Sequence, residues 1–461
     1  ERINSCWKGL RARTPSRGLI LIFPFFEMIV PFVLFLALSR RYVMEKAMKH
    51  TAYLMGMSGM EQMTMIQSVT AVETSDEYGG FSIVLPLEAC EGGGSCVRFV
   101  MEGDTFLFAG RNMKSNAYIR AIVDTGSPYL IVPEAKIKDS VDIALNECSE
   151  CAPSNKSKRY IFRNSNPQFS SRSRVDDFDA DPISFFLKSA YPPTFDIYGS
   201  KEGKIDWRTA PVSFRSGDIH SVDSSGYVFG ITDEVLSEES GGALLGLVKQ
   251  SNKSTTKVDI RPTWLEQVRL YRGDVGNENA LEVKSFRIDT PRRQLTISSK
   301  SLIPESSANA LALIDLRPLG DFVDHYACVI NELYVDGRGI RESGWVSKKR
   351  DIVAVFDTGL TGCLFTEELW TDVSKGLGIA SIASLQSVRV DLETKGFKSA
   401  NFSVESSREK ASGLFVTRSI SLDWFDEATT APHVVVLGQA FLAFGALTID
   451  IDKRKALFEN M

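Results

Sequence analysis

The stretch AIVDTGSPYL, residues Ala121 to Leu130, carries an Asp at the end of an apolar run that is typical of a β-strand. A carboxylate in that position is expected to be buried, and burial is costly unless the group is paired or hydrogen-bonded. Asp-Thr-Gly is also an ordinary turn sequence, because Asp caps turns and Gly accepts a positive φ. One copy alone does not distinguish a turn from a functional site.

A second copy of the motif, AVFDTGLTGCLF, occupies residues Ala354 to Phe365. When the copies are aligned without a gap, Asp124 coincides with Asp357, and both flanks are apolar in both copies. Each copy is followed downstream by an apolar-apolar-Gly element, ALLGL at residues 243–247 and VVLGQ at residues 435–439. A repeat of two units predicts two similar lobes and not a solenoid.

Two lobes that each offer one buried Asp predict a shared carboxylate pair, Asp124 and Asp357. Two carboxylates held close together cannot both ionise cheaply, so one proton is shared and the pair titrates as a unit. One member can then act as a base toward water while the other acts as an acid toward a carbonyl oxygen. Such a pair needs neither a nucleophilic side chain nor a metal ion.

With these motifs, the chain resembles the pepsin-like aspartic peptidases from about residue 79 to its C-terminus. The matching residues are DTGS at 124–127 and DTG at 357–359, and FDIYGSKEGKIDW, residues 195–207, is similar to the flap hairpin of that family. The resemblance implies a mostly β, bilobal acid-protease fold with two pseudo-two-fold related β lobes and a few short helices. It also implies an aspartic endopeptidase without metal or cofactor that acts on a peptide or protein.

The resemblance assigns roles to individual residues. It implies that Asp124 and Asp357 are catalytic. Tyr198 stands at the position of the flap tyrosine. The implied substrate-binding residues are Tyr198, Gly126, Ser127, Thr358 and Gly359.

Two positions depart from the family pattern. The family usually has Ser or Thr after each Asp-Thr-Gly, and Ser127 keeps that hydroxyl whereas Leu360 does not. The family often has a Trp where Ile131 stands, to support the flap tyrosine, and Trp207 is a candidate substitute. An alternative function is therefore a catalytically weak pepsin-fold module that binds peptides or proteins. The presence of both Asp residues and of Tyr198 favours the enzyme.

The composition argues against other classes of protein, namely nucleic-acid-binding proteins and zinc hydrolases. The 461 residues, 43% of them hydrophobic, allow two domains. The net charge of −5 gives no basic footprint for nucleic acid. The four His residues do not show HExxH spacing, which argues against a zinc hydrolase. We expect a monomer.

Six of the seven Cys residues can be arranged as three disulfides, and the alternative is six reduced, buried thiols. Cys90 and Cys96 flank a Gly-rich turn between two strand-like runs. The other candidates are Cys148 and Cys151, which form a CxxC where the family often has a small disulfide loop, and Cys328 and Cys363, which remain in the second half.

The N-terminal region predicts entry into the secretory pathway. Residues 18–38 form an apolar run with one charge, long enough to span a bilayer, and both a signal peptide and an uncleaved membrane anchor fit it. Both predict a lumenal or extracellular catalytic region, membrane-anchored or released as a secreted or vacuolar protein. Three sequons, at Asn155, Asn252 and Asn401, agree with that route.

These features divide the chain into five segments. They are a basic segment, 1–17; the apolar run, 18–38; a propeptide or stem, 39–78; an N-terminal lobe, 79–290, with an insertion at 151–182; and a C-terminal lobe, 291–461. Within the lobes, short alternating apolar runs predict mostly strands. Helices are predicted at 263–271 and 366–378, and a further helix is expected within 133–147.

Overall fold

The computed structural model describes residues 81–90, 94–101, 119–139, 186–198, 201–210, 212–214, 219–221, 226–232, 242–249, 261–270, 280–319, 323–393, 402–410, 415–420 and 431–460. Some predictions fall outside these ranges: the segments 1–17, 18–38 and 39–78, the insertion 151–182, Cys148, Cys151, and the sequon residues Asn155, Asn252 and Asn401. Among the described residues, none of the helices has the length and apolar character to cross a membrane.

The described part of the chain is mostly β, as predicted, with few helices. The strands of the first half are β1 (Ser82–Ala89), β2 (Ser95–Met101), β3 (Ile119–Asp124), β4 (Leu130–Pro133), β5 (Leu187–Lys188), β6 (Thr194–Tyr198), β7 (Lys201–Ala210), β8 (Val212–Phe214), β9 (Ile219–Ser221), β10 (Tyr227–Thr232), β11 (Ala243–Gly246), β12 (Val268–Leu270) and β13 (Leu281–Glu282). Those of the second half are β14 (Ser285–Asp289), β15 (Gln294–Ser298), β16 (Leu311–Ala312), β17 (Ala327–Val335), β18 (Arg338–Gly339), β19 (Ile352–Phe356), β20 (Cys363–Thr366), β21 (Ser387–Leu392), β22 (Phe402–Ser407), β23 (Thr417–Ile420), β24 (His433–Leu437), β25 (Gly445–Asp450) and β26 (Lys455–Asn460).

Within the described residues, these strands form three sheets. The largest has the order β16-β26-β25-β14-β15-β1-β2-β3-β11-β4-β10-β7-β5, with β6 paired to β7 and β8 paired to β2. A second sheet has the order β22-β21-β17-β19-β24-β20-β23, with β18 paired to β17, and a small third sheet has the order β13-β12-β9. The C-terminal strands β25 and β26 thus join the largest sheet through β14 and β15, and β15 pairs with β1 from the first half of the chain.

The sequence repeat is also a repeat of strand pairing. In the first copy β3 is parallel to β11, β11 is antiparallel to β4, and β4 is parallel to β10. In the second copy β19, β24, β20 and β23 have the same relations in the same order. The register is equivalent too, because Ala121 lies opposite Ala243 and Ala354 lies opposite Val435. Gly246 consequently lies opposite Asp124.

The strands around each Asp-Thr-Gly turn lie in the core. Every residue of β4, β11, β19 and β24 is buried. Strands buried on both faces carry continuous apolar runs, which explains IVAVF at 352–356 and ALLG at 243–246. Because both faces of these strands are packed, the turns at their ends are held in fixed positions.

The helices agree in part with the sequence predictions. A helix at Glu367–Leu377 ends at Gly378, which adopts the left-handed conformation with a φ of 69°, and this confirms the helix predicted at 366–378. Residues 134–139, within the predicted range 133–147, are helical. The helix predicted at 263–271 forms only at Trp264–Gln267, and the prediction is wrong for residues 268–270, which are extended.

That short helix, Trp264–Gln267, begins at Thr263 with a capping box formed with Glu266. The chain then becomes extended as β12, which pairs with β9 and β13. Pairing between strands distant in sequence overrides the local helical pattern of residues 268–270.

The cysteines require one correction. Cys90 and Cys96 form a disulfide, as predicted. Cys328 and Cys363 are instead buried free thiols. Cys328 lies on β17 and Cys363 on β20, with β19 and β24 between them. Three strand spacings amount to roughly 14 Å, about twice the Cα separation that a disulfide tolerates.

Candidate active site

The two predicted catalytic residues lie at equivalent places in the repeat. Asp124 is the last residue of β3, and Asp357 directly follows β19. The carbonyl oxygen of Asp124 accepts from the amide of Leu247 at 2.7 Å, and the amide of Asp357 donates to the carbonyl oxygen of Leu437 at 3.0 Å. Each Asp backbone is therefore fixed by the apolar-apolar-Gly strand of its own repeat.

Each Asp-Thr-Gly turn binds its own carboxylate in the same way. The amide of Gly126 donates to Oδ1 of Asp124 at 2.7 Å, and the amide of Gly359 donates to Oδ1 of Asp357 at 2.9 Å. A backbone N–H aimed at a carboxylate favours its charged form and fixes its orientation. Both carboxyl groups are thus oriented by the backbone of their own turns.

The glycines of the turns bring the two carboxyl groups together. A Cβ placed on Gly126 would lie 2.6 Å from Cγ of Asp357, and a Cβ placed on Gly359 would lie 2.5 Å from Cγ of Asp124. Each carboxyl group therefore packs directly over the glycine of the other turn. Any larger residue at either glycine would displace the carboxyl group opposite.

The Thr residues of the two turns bond each other. The amide of Thr125 donates to Oγ1 of Thr358, and the amide of Thr358 donates to Oγ1 of Thr125. The hydroxyl of Thr125 donates to the carbonyl oxygen of Phe356, and that of Thr358 donates to the carbonyl oxygen of Val123. Both side chains are buried, so the four bonds link the copies in a site without competing water.

The electrostatics follow from burial and proximity. Asp124 is only 6% exposed, and this burial raises the pKa of its carboxyl group well above the usual range. The negative charge of Asp357 and a hydrogen bond between the two carboxyl groups raise the pKa of Asp124 further, whereas the amides of Gly126 and Gly359 lower it. The effects that raise the pKa of Asp124 predominate. This is the behaviour expected of two carboxyl groups that hold one proton between them.

The residues that follow the turns differ between the copies. Oγ of Ser127 accepts from the amide of Tyr129 at 3.5 Å, and a bond from Ser127 to Asp124 is not seen among the described contacts. Leu360 is half-buried and packs against an apolar cluster that includes Val353 and Leu316. The second copy thus has packing where the resemblance leads us to expect a hydroxyl.

The predicted flap residues form a hairpin in the described backbone. Strands β6 and β7 pair antiparallel, with Tyr198 opposite Lys201 at the far end and Thr194 opposite Ile205 near the base. Trp207 is buried, and its Nε1 donates to Oγ1 of Thr194 at 3.1 Å. Trp207 therefore supports the base of this hairpin, while its proposed support of the tyrosine side chain remains a prediction.

Several contacts at the site are not evident from the sequence motifs. Nε2 of His325 lies 3.0 Å from the carbonyl oxygen of Gly126, and the hydroxyl of Tyr326 donates to the carbonyl oxygen of Leu247 at 2.7 Å. The side-chain amide of Gln439 donates to the carbonyl oxygen of Thr358. Of these three residues, Gln439 alone stands beside a sequence motif, because it directly follows the second apolar-apolar-Gly element.

Among the described residues, no group of three or more His, Cys, Asp or Glu side chains could hold a metal ion. Comparison with models of known protein families and with curated proteins gave no match. The functional interpretation therefore depends on the geometry of the paired Asp-Thr-Gly turns.

Proposed function

We propose that this protein is an aspartic endopeptidase with a pepsin-like, bilobal fold in which each copy of the repeat forms the centre of one lobe. The observation that carries the proposal is the apposition of Asp124 and Asp357, each bound by the glycine amide of its own turn and packed over the glycine of the other. A purely structural role would not require the buried carboxyl group of Asp124 to lie in contact with the half-buried carboxyl group of Asp357, because burying like charges together is costly.

In this proposal the pair holds one proton and one water molecule. The ionised carboxylate takes a proton from the water, which attacks the carbonyl carbon of the peptide bond. The protonated carboxyl group donates its proton to the carbonyl oxygen, which gives a tetrahedral diol intermediate. Proton transfer to the leaving nitrogen then cleaves the C–N bond. The raised pKa of Asp124 supports a pair that retains one proton.

The remaining site residues position the substrate in this mechanism. The β6–β7 hairpin, with Tyr198 at its far end, closes over the bound peptide and excludes water from the reacting groups. Gly126 and Gly359 leave room for the two carboxyl groups. The hydrogen bonds between Thr125 and Thr358 fix the distance between those carboxyl groups. We further propose that residues 18–38 direct the chain to the secretory pathway, as an anchor or a signal peptide.

The decisive experiment is hydrolysis of a denatured protein across acidic pH, with and without a statine-type inhibitor. The protein is compared with Asp124→Asn and Asp357→Asn variants, because Asn fills the same space but cannot exchange the proton. We expect a bell-shaped pH profile with an acidic maximum, inhibition by statine, and a loss of at least about a hundredfold in both variants.

The Asp289→Asn variant is the matched control, because Asp289 is equally buried but contacts Arg287 and Arg292 instead of a carboxyl group. It should retain specific activity in the fraction that folds. Cleavage that persists in Asp124→Asn would refute the shared-proton mechanism. Tight peptide binding without turnover in the unmodified protein would favour a binding module.

A further inference from the structure

A buried arginine lies at the base of the hairpin, outside the motifs considered so far. Arg261 is 6% exposed. Its guanidinium carbon lies 4.1 Å from the centroid of the Trp207 ring and 4.8 Å from that of Tyr129, and these two rings meet edge to face at 5.0 Å. A guanidinium group over aromatic faces is attracted by their π electrons, and the attraction is larger when water is excluded.

The same arginine bonds the hairpin directly. Nη1 of Arg261 donates to Oγ1 of Thr194 at 2.8 Å, and Nε1 of Trp207 donates to the same oxygen at 3.1 Å. Thr194 is the first residue of β6 and Trp207 lies on β7, so both strands of the hairpin are involved. Two donors that converge on one hydroxyl oxygen fix the base of the hairpin.

The other side of the cluster leads to the candidate catalytic turn. Tyr129 follows Asp124 by five residues, and its carbonyl oxygen accepts from the amide of Gly246 at 2.9 Å. Gly246 lies opposite Asp124 in the pairing of β11 with β3. A continuous series of contacts therefore runs from the hairpin base through Arg261 and Tyr129 to the strands that hold Asp124.

We propose that Arg261 is a positioning residue that fixes the base of the β6–β7 hairpin relative to the Asp124 turn and thereby sets how the hairpin holds a peptide. This inference rests on the proposed function only for its effect on catalysis. Arginine suits the role because its flat guanidinium group can stack on rings while it donates hydrogen bonds in its own plane. A lysine ammonium is a compact charge and cannot do both.

The test compares the Arg261→Met, Arg261→Lys and Thr194→Val variants by hydrogen exchange and by peptide hydrolysis. Thr194→Val removes the common acceptor with little change in volume and leaves the arginine in place. Arg269→Met is the matched control, because Arg269 lies just after the same short helix but donates to the carbonyl oxygens of Glu266 and Val268.

We expect the amides of residues 194–198 to exchange about tenfold faster in Arg261→Met and measurably faster in Thr194→Val. The amides of β14 and β15 serve as an internal reference and should be unchanged, as should the amides of residues 194–198 in Arg269→Met. In hydrolysis, Arg261→Met should raise KM about tenfold while kcat changes less than about twofold. Arg261→Lys should recover only part of either effect.

The two readouts separate this inference from the proposed function. If the unmodified protein cleaves no peptide, the endopeptidase proposal fails, and the exchange of residues 194–198 still decides the role of Arg261. Unchanged exchange in both Arg261→Met and Thr194→Val would overturn the inference. Exchange of residues 194–198 at the unmodified rate in Arg261→Lys would also overturn the inference, because a positive charge without a planar group would then be enough to fix the base of the hairpin.

Discussion

Thr125 and Thr358, which are 233 residues apart, exchange backbone-to-hydroxyl hydrogen bonds of 3.0 and 3.1 Å. Each hydroxyl also donates across the repeat, to the carbonyl oxygen of Phe356 at 2.8 Å and of Val123 at 2.7 Å. The pattern is nearly symmetric, and every donor and acceptor in it is buried. The separation of the two adjacent Asp residues therefore depends on this Thr pair.

Replacement of either Thr by Val should destabilise the protein and lower its activity. Thr125→Val removes one acceptor and one donor, and leaves the amide of Thr358 and the carbonyl oxygen of Phe356 buried without partners. We expect a loss of about 1–3 kcal/mol in the free energy of unfolding. Urea unfolding monitored by circular dichroism measures it. Thr232→Val is the control, because Thr232 is buried but its hydroxyl has no hydrogen-bond partner among the described residues. An equal loss in that control would show that the Thr pair has no special role.

The glycines of the turns predict a steric effect on activity. In Gly126→Ala the new methyl group would meet Cγ of Asp357 at 2.6 Å, so that carboxyl group must move. Such displacement of a reacting group by about 1 Å can cost on the order of a hundredfold in rate. Initial rates on a peptide substrate test it. Gly344→Ala is the control: Gly344 has a φ of 70° but nothing within 4 Å, so its cost of about 1 kcal/mol is in stability alone. Normal turnover in Gly126→Ala would contradict the packing argument.

Much of this arrangement can be predicted from the sequence because it repeats. The gapless alignment of the two Asp-Thr-Gly copies, with an apolar-apolar-Gly element after each, correctly predicts that these stretches form equivalent strands. The structure adds the reason for the last glycine of each element. A Cβ on Gly246 would collide with the backbone of Ser127, and a Cβ on Gly438 with that of Leu360, at the same position of each repeat.

Other features depend on contacts between distant residues and leave no local pattern. The helical spacing at 263–271 is real for one turn, but strand pairing of β12 with β9 and β13 decides the rest. Cys328 and Cys363 are paired by elimination in the sequence but are separated by two strands in the sheet. Arg261 and His325 carry no motif, and their roles follow only from which residues the fold brings beside them.

The hairpin predicts a loss of activity without a loss of stability. Tyr198 is the last residue of β6 and lies opposite Lys201 at the far end of the hairpin. Tyr198→Ala should lower kcat/KM at least about tenfold, because closure over the substrate excludes water from the reaction. Phe195→Ala is the control. Phe195 is 68% exposed on the same strand, and an offset of three residues puts it on the opposite face. Unchanged kcat/KM in Tyr198→Ala would exclude the flap role.

A buried histidine far from the site predicts a loss of stability in acid. Burial lowers the pKa of His433 to about 4, and the positive charges of Arg350 and Arg341 act in the same direction. The unfolded chain, with a histidine pKa near 6.5, therefore binds more protons than the folded protein between about pH 4 and 6.5. Stability falls as the pH decreases through that window, by at most about 3.5 kcal/mol in total.

In His433→Gln that pH dependence should be reduced, and the variant should gain stability relative to the unmodified protein as the pH decreases from 6.5 to 4. Urea midpoints at several pH values measure the difference between the two proteins. A difference that does not change with pH would show that His433 is not the titrating group.

The paired Asp residues predict the opposite pH dependence for Asp124. Burial and the nearby charge of Asp357 raise the pKa of Asp124 in the folded protein, whereas the unfolded value is near 3.8. The folded state thus binds the proton more tightly, and the contribution of this group to stability is complete below about pH 3.8. That contribution is lost as the pH rises through the folded pKa.

Asp124→Asn is uncharged at every pH and does not incur this loss. At pH 7 it should therefore be more stable than the unmodified protein, by more than the roughly 0.5 kcal/mol typical of neutral surface changes, although its cleavage rate should be at least about a hundredfold lower. The gain should shrink as the pH falls toward 4. Urea midpoints at pH 4 and pH 7 measure it. Asp289→Asn, which removes the carboxylate that pairs with Arg292 and with Nη2 of Arg287, should lose stability at pH 7. If Asp124→Asn were instead less stable at pH 7 than at pH 4, relative to the unmodified protein, the carboxyl group would be a net stabiliser in its charged form. The two Asp residues could then not share a proton.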